Sequence, residues 1–249
     1  RTVAGGSREY VKRIATNLGD RIHLKTDIVG LRRANGGVMV NLKGQGDVWF
    51  DKVVMAAHAD QSLALIDDAT PLEHELLGAF GFQRNHAVLH SDASLMPKRR
   101  GAWAAWNYVS EAAAPASHGV AGNAWQGETS PPSDLCLTYW MNRLQSIDRA
   151  YPLYETLNPV RMPSAELVHG EFDYRHPVFD AKAIAMQSRL AEIQGQNGLF
   201  FAGAWTGFGF HEDGLKSAVA IAKTLGVEIP WKTKVVAFEK SSEPMQGIA

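Results

Sequence analysis

Residues 199–226, LFFAGAWTGFGFHEDGLKSAVAIAKTLG, constrain the fold more than any other stretch of the chain. The run Leu199, Phe200, Phe201, Ala202 lacks polar alternation, which predicts a short strand buried on both faces. Gly203, Gly207, Gly209 and Gly214 mark a glycine-bearing turn. Leu215, Val219, Ala222 and Leu225 then recur at helical spacing, and Gly226 predicts the helix stop. A buried strand, a glycine turn and a helix N-terminus present backbone N–H groups to an anion or to a polar ring edge.

The rest of the chain supplies partners for this unit. Ser7 is expected to cap a helix whose Tyr10, Val11, Ile14 and Leu18 share one side, closed at Gly19. Residues 21–26 and 28–33 read as strands, and Asn35-Gly36-Gly37 predicts a hairpin turn with 38–42 as the return. A further strand is expected at 48–50. KVVMAA, 52–57, predicts a second buried strand ending at His58. Residues 61–80 are helical with a break at Thr70-Pro71. Segments 86–91, 102–109, 135–142, 154–158 and 166–174 carry aromatic and β-branched residues, which predicts an antiparallel sheet of about five strands. Residues 111–132 read as a long loop part-anchored by Trp125. Residues 181–193 read as a helix with Ile184, Ala185, Leu190 and Ile193 inward, leading to the Asn197-Gly198 turn. From Glu228 a tail carries a β-like VVAF and a polar end.

Composition narrows the partners. A net charge of −1 over 249 residues gives no electrostatic reason to expect nucleic acid or an anionic membrane. Lys98-Arg99-Arg100 reads as a solvated loop. One cysteine, Cys136, forms no internal disulfide and fits a reducing cytosol. No apolar run approaches the ~18 residues that span a bilayer. The expectation is a soluble, cytoplasmic protein without an integral membrane segment.

The motifs also carry a resemblance. The strand ending in FAG, the aromatic and glycine turn, and Asp213-Gly214 opening an Ala-rich helix resemble the C-terminal flavin-binding segment of FAD-dependent amine-oxidase-like oxidoreductases. RTVAGGS (1–7), NHAVLHSDASLMPKRR (85–100), TYWMNRLQ (138–145) and GFGFHEDGLKSA (207–218) are similar to a bacterial group of that superfamily described as predicted NAD/FAD-binding proteins. The resemblance implies an α/β plus α+β fold, with a partial Rossmann-like FAD-binding domain and an antiparallel-sheet substrate domain. It divides the chain into 1–60 and 191–227 for FAD, 61–190 for substrate, and a tail at 228–249. It implies FAD as cofactor and hydride transfer to flavin from a small organic or acyl-type substrate. Relatives on this fold also desaturate hydrocarbons and oxidise tetrapyrroles, so fold alone does not name the substrate. The family's strand, GxGxxG and helix for the pyrophosphate have no counterpart here, since GFGFHE carries Glu212 at the third glycine position. The chain is thus expected to be the C-terminal part of a longer flavoprotein, which associates with the missing segment or forms a homodimer. The rival reading is a non-catalytic or incomplete flavoprotein that does not hold FAD by itself.

Flavin chemistry asks the protein for orientation, a dry pocket and a dipole near the ring. N–H groups around Asp213, Gly214 and Leu215 are expected to face the flavin C2 carbonyl, with Glu212 counted among the cofactor-binding residues of the same helix start. Equally, Glu212 and Asp213 serve as ordinary helix caps. The resemblance implies cofactor contacts at Gly203 and Ala204, the latter where the superfamily often has Glu. It implies adenine recognition by the main chain of Ile28, and adenosine contact at Ala57 and His58. It also sets His86 near the position where several amine oxidases place a lysine that holds a water at the flavin, and a neutral imidazole there relays a proton. His86 and His90 share a strand face by their spacing, but no third ligand accompanies them, and no metal is expected. Trp106, Tyr108, Trp140, Phe208, Phe210 and His211 are candidates for the substrate pocket, against the alternative of plain core packing.

Overall fold

The computed structural model describes residues 3–110, 135–229 and 231. Helix α1 (Arg8–Leu18) forms where the apolar spacing puts it, but Ser7 makes no side-chain cap bond and none of its residues is buried. Residues 21–26 do not form the expected strand. A 3-10 turn at Gly19–Arg21 is followed by irregular chain, and Leu24 is 81% exposed, so no neighbouring strand covers its apolar residues. Strands β1 (Ile28–Ala34), β2 (Gly37–Leu42) and β3 (Gly46–Phe50) make an antiparallel sheet in that order. Leu31, Val38 and Val40 point from it into the main core.

Strand β4 (Val53–Met55) leads to two short helices, α2 (Ala59–Leu65) and α3 (Pro71–Leu77). The expected break at Thr70 is a full helix start. Thr70 Oγ1 accepts from the Glu73 N–H at 3.2 Å and the Glu73 carboxylate accepts from the Thr70 N–H at 2.8 Å. Glu73, almost fully buried, also pairs with Arg33 of β1 and so ties this corner to the first sheet.

The five-stranded antiparallel sheet is present. Its strands are β5 (Phe82–His90), β6 (Trp106–Ser110), β7 (Leu135–Trp140), β8 (Tyr154–Leu157) and β9 (Val168–Pro177), in the spatial order β6-β7-β8-β5-β9. Helix α4 (Met141–Leu144) follows β7 directly. β5 starts earlier and β9 ends later than their apolar runs suggest, because the two pair from Phe82↔Pro177 onward through polar residues. Residues 111–132 with Trp125, and the tail beyond 231, lie outside the described residues.

Helix α5 (Ala181–Gln187) is capped by Asp180, which accepts from the Ala183 N–H at 2.8 Å, and a 3-10 turn at Leu190–Glu192 replaces its expected last turn. Leu190 and Ile193 are buried as expected, whereas Ile184 and Ala185 are exposed and Ala183 takes the inward position. Strand β10 (Leu199–Phe201) is buried throughout and pairs in parallel with β4. Leu199 and Phe201 face the main core, and Phe200 packs with Ala202 and Ile221 of helix α6 (His211–Thr224), as a strand covered on both faces requires. Val54 of β4 is half exposed. Among the described residues, no helix is long and apolar enough to cross a membrane.

Candidate functional site

The turn after β10 is built on Gly203. Its φ is 153°, and a Cβ there would meet the Trp205 indole nitrogen at 2.6 Å, so the position requires glycine. The Gly203 N–H donates to Ser217 Oγ at 3.0 Å, and the Ser217 hydroxyl donates to the Gly214 carbonyl at 2.7 Å. Trp205 Nε1–H donates to the Ala57 carbonyl at 3.1 Å, which joins the end of β4 to the turn. Ala57, Gly203, Ala204 and Gly214 are therefore brought together at this turn.

The helix start differs in detail. The Asp213 carboxylate accepts from the Phe208 and Phe210 N–H groups at 3.0 and 3.2 Å, which makes it the cap. The N–H groups of Asp213 and Gly214 both go to the Phe210 carbonyl, at 2.9 and 3.2 Å. Those left over for a ligand at the positive end of α6 are on His211 and Glu212. Leu215 and Glu212 are exposed on the first turn.

His211 borders a groove of about 940 Å³, whose other walls are residues 3–8 and Gln145–Ile147. Gly6 lines it with a φ of +86° and no atom within 4 Å of where a Cβ would stand, so a flat ring can approach the backbone there. Asn142 holds the far wall in shape. Its amide donates to the carbonyls of Asp148 and Tyr151 at 2.9 and 2.8 Å, and its oxygen accepts from the Leu153 N–H at 2.8 Å.

Next to the groove lies a cavity of about 360 Å³ over one face of the five-stranded sheet. Tyr139, Glu155, Leu157, Tyr174 and His176 line it, with Met141 and Leu144 of α4. Strand registers put all the sheet residues of this set on one face: Tyr139 is opposite Glu155, and Leu157 opposite Ala87, whose neighbours in β9 and β5 alternate with Tyr174 and Asn85. Leu144, the last residue of α4, lines the cavity and Gln145, the next residue, lines the groove, so the two spaces adjoin at the C-terminal end of α4.

Burial raises the carboxyl pKa of Glu155 above its ordinary range. Its carboxylate has no hydrogen bond or ion pair among the described residues. Desolvation, then Tyr108 and Glu155, raise the Tyr139 phenol. Desolvation, with His58 nearby, lowers His176 below the ordinary histidine value. At Tyr139, Glu155 and His176 the cavity thus disfavours the charged form.

The alternation separates the aromatic candidates. Trp106 and Tyr108 share the cavity face, and Trp106 packs edge-on to Tyr139 at 5.4 Å. Trp140 is on the other face, against Trp103 at 5.3 Å. His86 is also turned to that other face, where it pairs with Glu171 at 3.1 Å and Asp173 at 3.6 Å, so the sheet does not bring it to the cavity. Phe208 and Phe210 are exposed at the turn, Phe208 tilted against Phe179 at 6.0 Å. Ile28 stands half exposed at the start of β1, in a sheet that lines neither space. His58 stacks on Phe82 at 4.2 Å, and its buried Nδ1 has no partner among the described residues. Glu155, His176 and Asn85 were missed by sequence reasoning; the signal was the period-2 pattern of β5, β8 and β9, whose absolute direction needed a neighbour to decide. Among the described residues no cluster could hold a metal ion.

The profile of flavin containing amine oxidoreductases matches residues 1–225. The chain belongs to this family, whose cofactor is flavin. Solved structures agree at the level of fold. A CLA-producing fatty acid isomerase from P. acnes is 14% identical with a TM-score of 0.56, covering 89% of this chain and 52% of its own. Cyclohexylamine oxidase from Brevibacterium oxydans IH-35A is 13% identical with a TM-score of 0.53, covering 89% and 53%. Putrescine oxidase bound to putrescine is 10% identical with a TM-score of 0.56, again covering 89% and 53%. The chain spans about half the length of these structures. No protein of curated function matches it.

Proposed function

We propose that this chain carries the flavin-ring and substrate side of an FAD-dependent oxidoreductase acting on a small organic or acyl-type substrate. The observation that carries the reading is that a groove at the positive end of α6 and an aromatic cavity on the sheet adjoin at the C-terminal end of α4, where Leu144 lines one and Gln145 the other. In this reading residues 1–60 and 191–227 belong to a Rossmann-like FAD domain, of which the parallel β4–β10 pair and α6 are part. Residues 61–190 form the substrate domain.

The residues present fit the ring end of the cofactor. Gly6 leaves one side of the groove open to a planar group, and the His211 and Glu212 N–H groups are free to meet a carbonyl. Their partial positive charge favours negative charge on a ring edge. Gly203 and Ala204 end the strand beneath, and Trp205 fixes them to Ala57. The chemistry FAD supplies there is acceptance of a hydride. The sheet's part is to hold the substrate between Tyr139 and Tyr174. His211 borders the groove and is placed to touch either molecule.

Flavin fluorescence during titration of the chain tests the reading through Gly214. A Cβ at this position would lie 3.7 Å from the Ala204 nitrogen, an ordinary contact, so Gly214→Ala should fold and gain up to about 1 kcal/mol of helix propensity. Gly214→Val places a branched side chain at the same junction and should weaken flavin binding at least tenfold, about 1.4 kcal/mol, with the helical circular dichroism kept. Riboflavin should compete with FAD, since the groove offers contacts to the ring. Unchanged flavin affinity in a folded Gly214→Val protein would remove the α6 turn from the site.

A further inference from the structure

One side chain in the cavity has its proton assigned by the fold. The His86 backbone N–H donates to Asn158 Oδ1 at 3.0 Å, and a backbone N–H can only donate, so the oxygen of Asn158 is identified. Its Nδ2 therefore points to Asn85 Oδ1, at 2.8 Å. Gln83 Nε2 donates to the same oxygen at 3.1 Å. With Oδ1 of Asn85 taken by two donors, its Nδ2 faces His176 Nδ1 at 2.8 Å and the Gln83 carbonyl at 3.4 Å. Nδ2 has no lone pair to offer, so Nδ1 of His176 must be the acceptor. A neutral imidazole that accepts at Nδ1 carries its hydrogen on Nε2. Nε2 has no partner among the described residues, and the ring lines the cavity.

We propose that His176 is a ligand-binding residue, held as the Nε2–H tautomer by the Asn158–Asn85 relay so that it donates one hydrogen bond to a carbonyl or carboxamide oxygen of the substrate. The relay is anchored in backbone at its far end, where the Asn158 N–H also donates to the His86 carbonyl at 2.8 Å. Asn85 is buried, so water does not compete for its amide. The lowered pKa of His176 keeps the ring neutral, which a fixed donor and acceptor pair requires. Glu155 lines the same cavity without a partner among the described residues and is the complementary acceptor, ready for an N–H of the same ligand. The ligand class is thus a flat or apolar body that carries an oxygen acceptor beside an N–H donor. The tautomer stands without the functional reading above; only the ligand role rests on it.

Long-range 1H–15N spectra of the full chain test both parts, with the His176 signals identified by their loss in His176→Gln. The wild-type ring should show the Nε2–H pattern near neutral pH. Asn85→Asp keeps the bonds from Asn158 and Gln83 but presents a carboxylate to Nδ1, and should move the proton there. A wild-type Nδ1–H or doubly protonated ring overturns the proposal, as does an Asn85→Asp ring still protonated on Nε2 alone. Benzamide is the probe of the cavity: added at millimolar concentration it should shift the Nε2 resonance and its proton saturably, whereas toluene should not. No response to benzamide, or an equal response to toluene, overturns the donor role even where the tautomer is found as expected, and then the cavity rather than the relay has failed.

Discussion

His90 and His176 belong to neighbouring strands of one sheet, and desolvation lowers the pKa of both. Their surroundings nevertheless differ in kind. His90 is fully buried and both its nitrogens are used: Nδ1 accepts from the Asp92 N–H at 3.2 Å, and Nε2 meets Thr156 Oγ1 at 2.8 Å. Thr156 continues to Thr138 at 2.9 Å, so the polar chain closes inside the sheet. His176 has one nitrogen held by Asn85 and the other at the cavity. A closed network contributes stability and uniqueness, whereas an open one leaves a directed group for a ligand. The two faces of the sheet thus differ in how they use their polar groups, closed on one side and open on the other, although both carry histidine, carboxylate and aromatic side chains.

The largest expected effect comes from breaking the closed side. His90→Ala removes a fully buried ring and strands the Asp92 N–H and Thr156 hydroxyl, which should cost about 3 kcal/mol in a urea melt. His176→Ala should cost less, about 1 kcal/mol, because it removes an exposed ring and takes only one acceptor from the Asn85 amide, which keeps the Gln83 carbonyl. Equal losses would show that the cavity face is as structural as the other.

Acid sharpens the comparison at intermediate size. The folded pKa of His90 lies below 6.5, chiefly through burial and against the opposing charge of Asp92. Between that lowered value and 6.5 the unfolded chain binds a proton that the folded chain does not. Stability should therefore fall as pH drops through this window, by at most about 1.4 kcal/mol per pH unit from this group. His176 acts in the same direction. His90→Asn should flatten the acid limb when melts around pH 7 and around pH 5 are compared, and an unchanged limb would assign it to other groups.

The smallest effect belongs to Glu155. Its pKa is raised by burial, so the folded state holds a proton longer than the unfolded chain does. The ionised form is then a cost above the ordinary value of 4.5, and it vanishes as the pH falls below that value. Glu155→Gln should stabilise the chain at neutral pH by a few tenths of a kcal/mol, since solvent reaching the open cavity screens much of the penalty. A destabilised Gln variant would mean that the carboxylate has a partner in the folded protein.

Much of this architecture was legible in the residues themselves. The strand at 199–201, the glycine turn and helix α6 follow from an unbroken apolar run, positions that need glycine and 3.6-residue spacing, all of which are local. The hairpin at Asn35-Gly36 and the five-stranded sheet follow in the same way, and so does family membership through the motifs of the turn. The segment at 21–26 was misread because alternation predicts a strand only where another strand is there to pair.

What tertiary structure decided was direction. Period-2 alternation says that Asn85 and His86 point opposite ways, but which one meets the cavity depends on what packs against each face, and one step of register exchanges them. For that reason His86 and Trp140 read as site residues and stand elsewhere, while Glu155 and His176 line the cavity. The donors at α6 moved for a similar reason, because only the folded turn shows that the Phe210 carbonyl takes the Asp213 and Gly214 N–H groups. Local sequence carries the repeat of a strand or helix; the partner that fills each position is a long-range contact, and it exists only once the chain has folded.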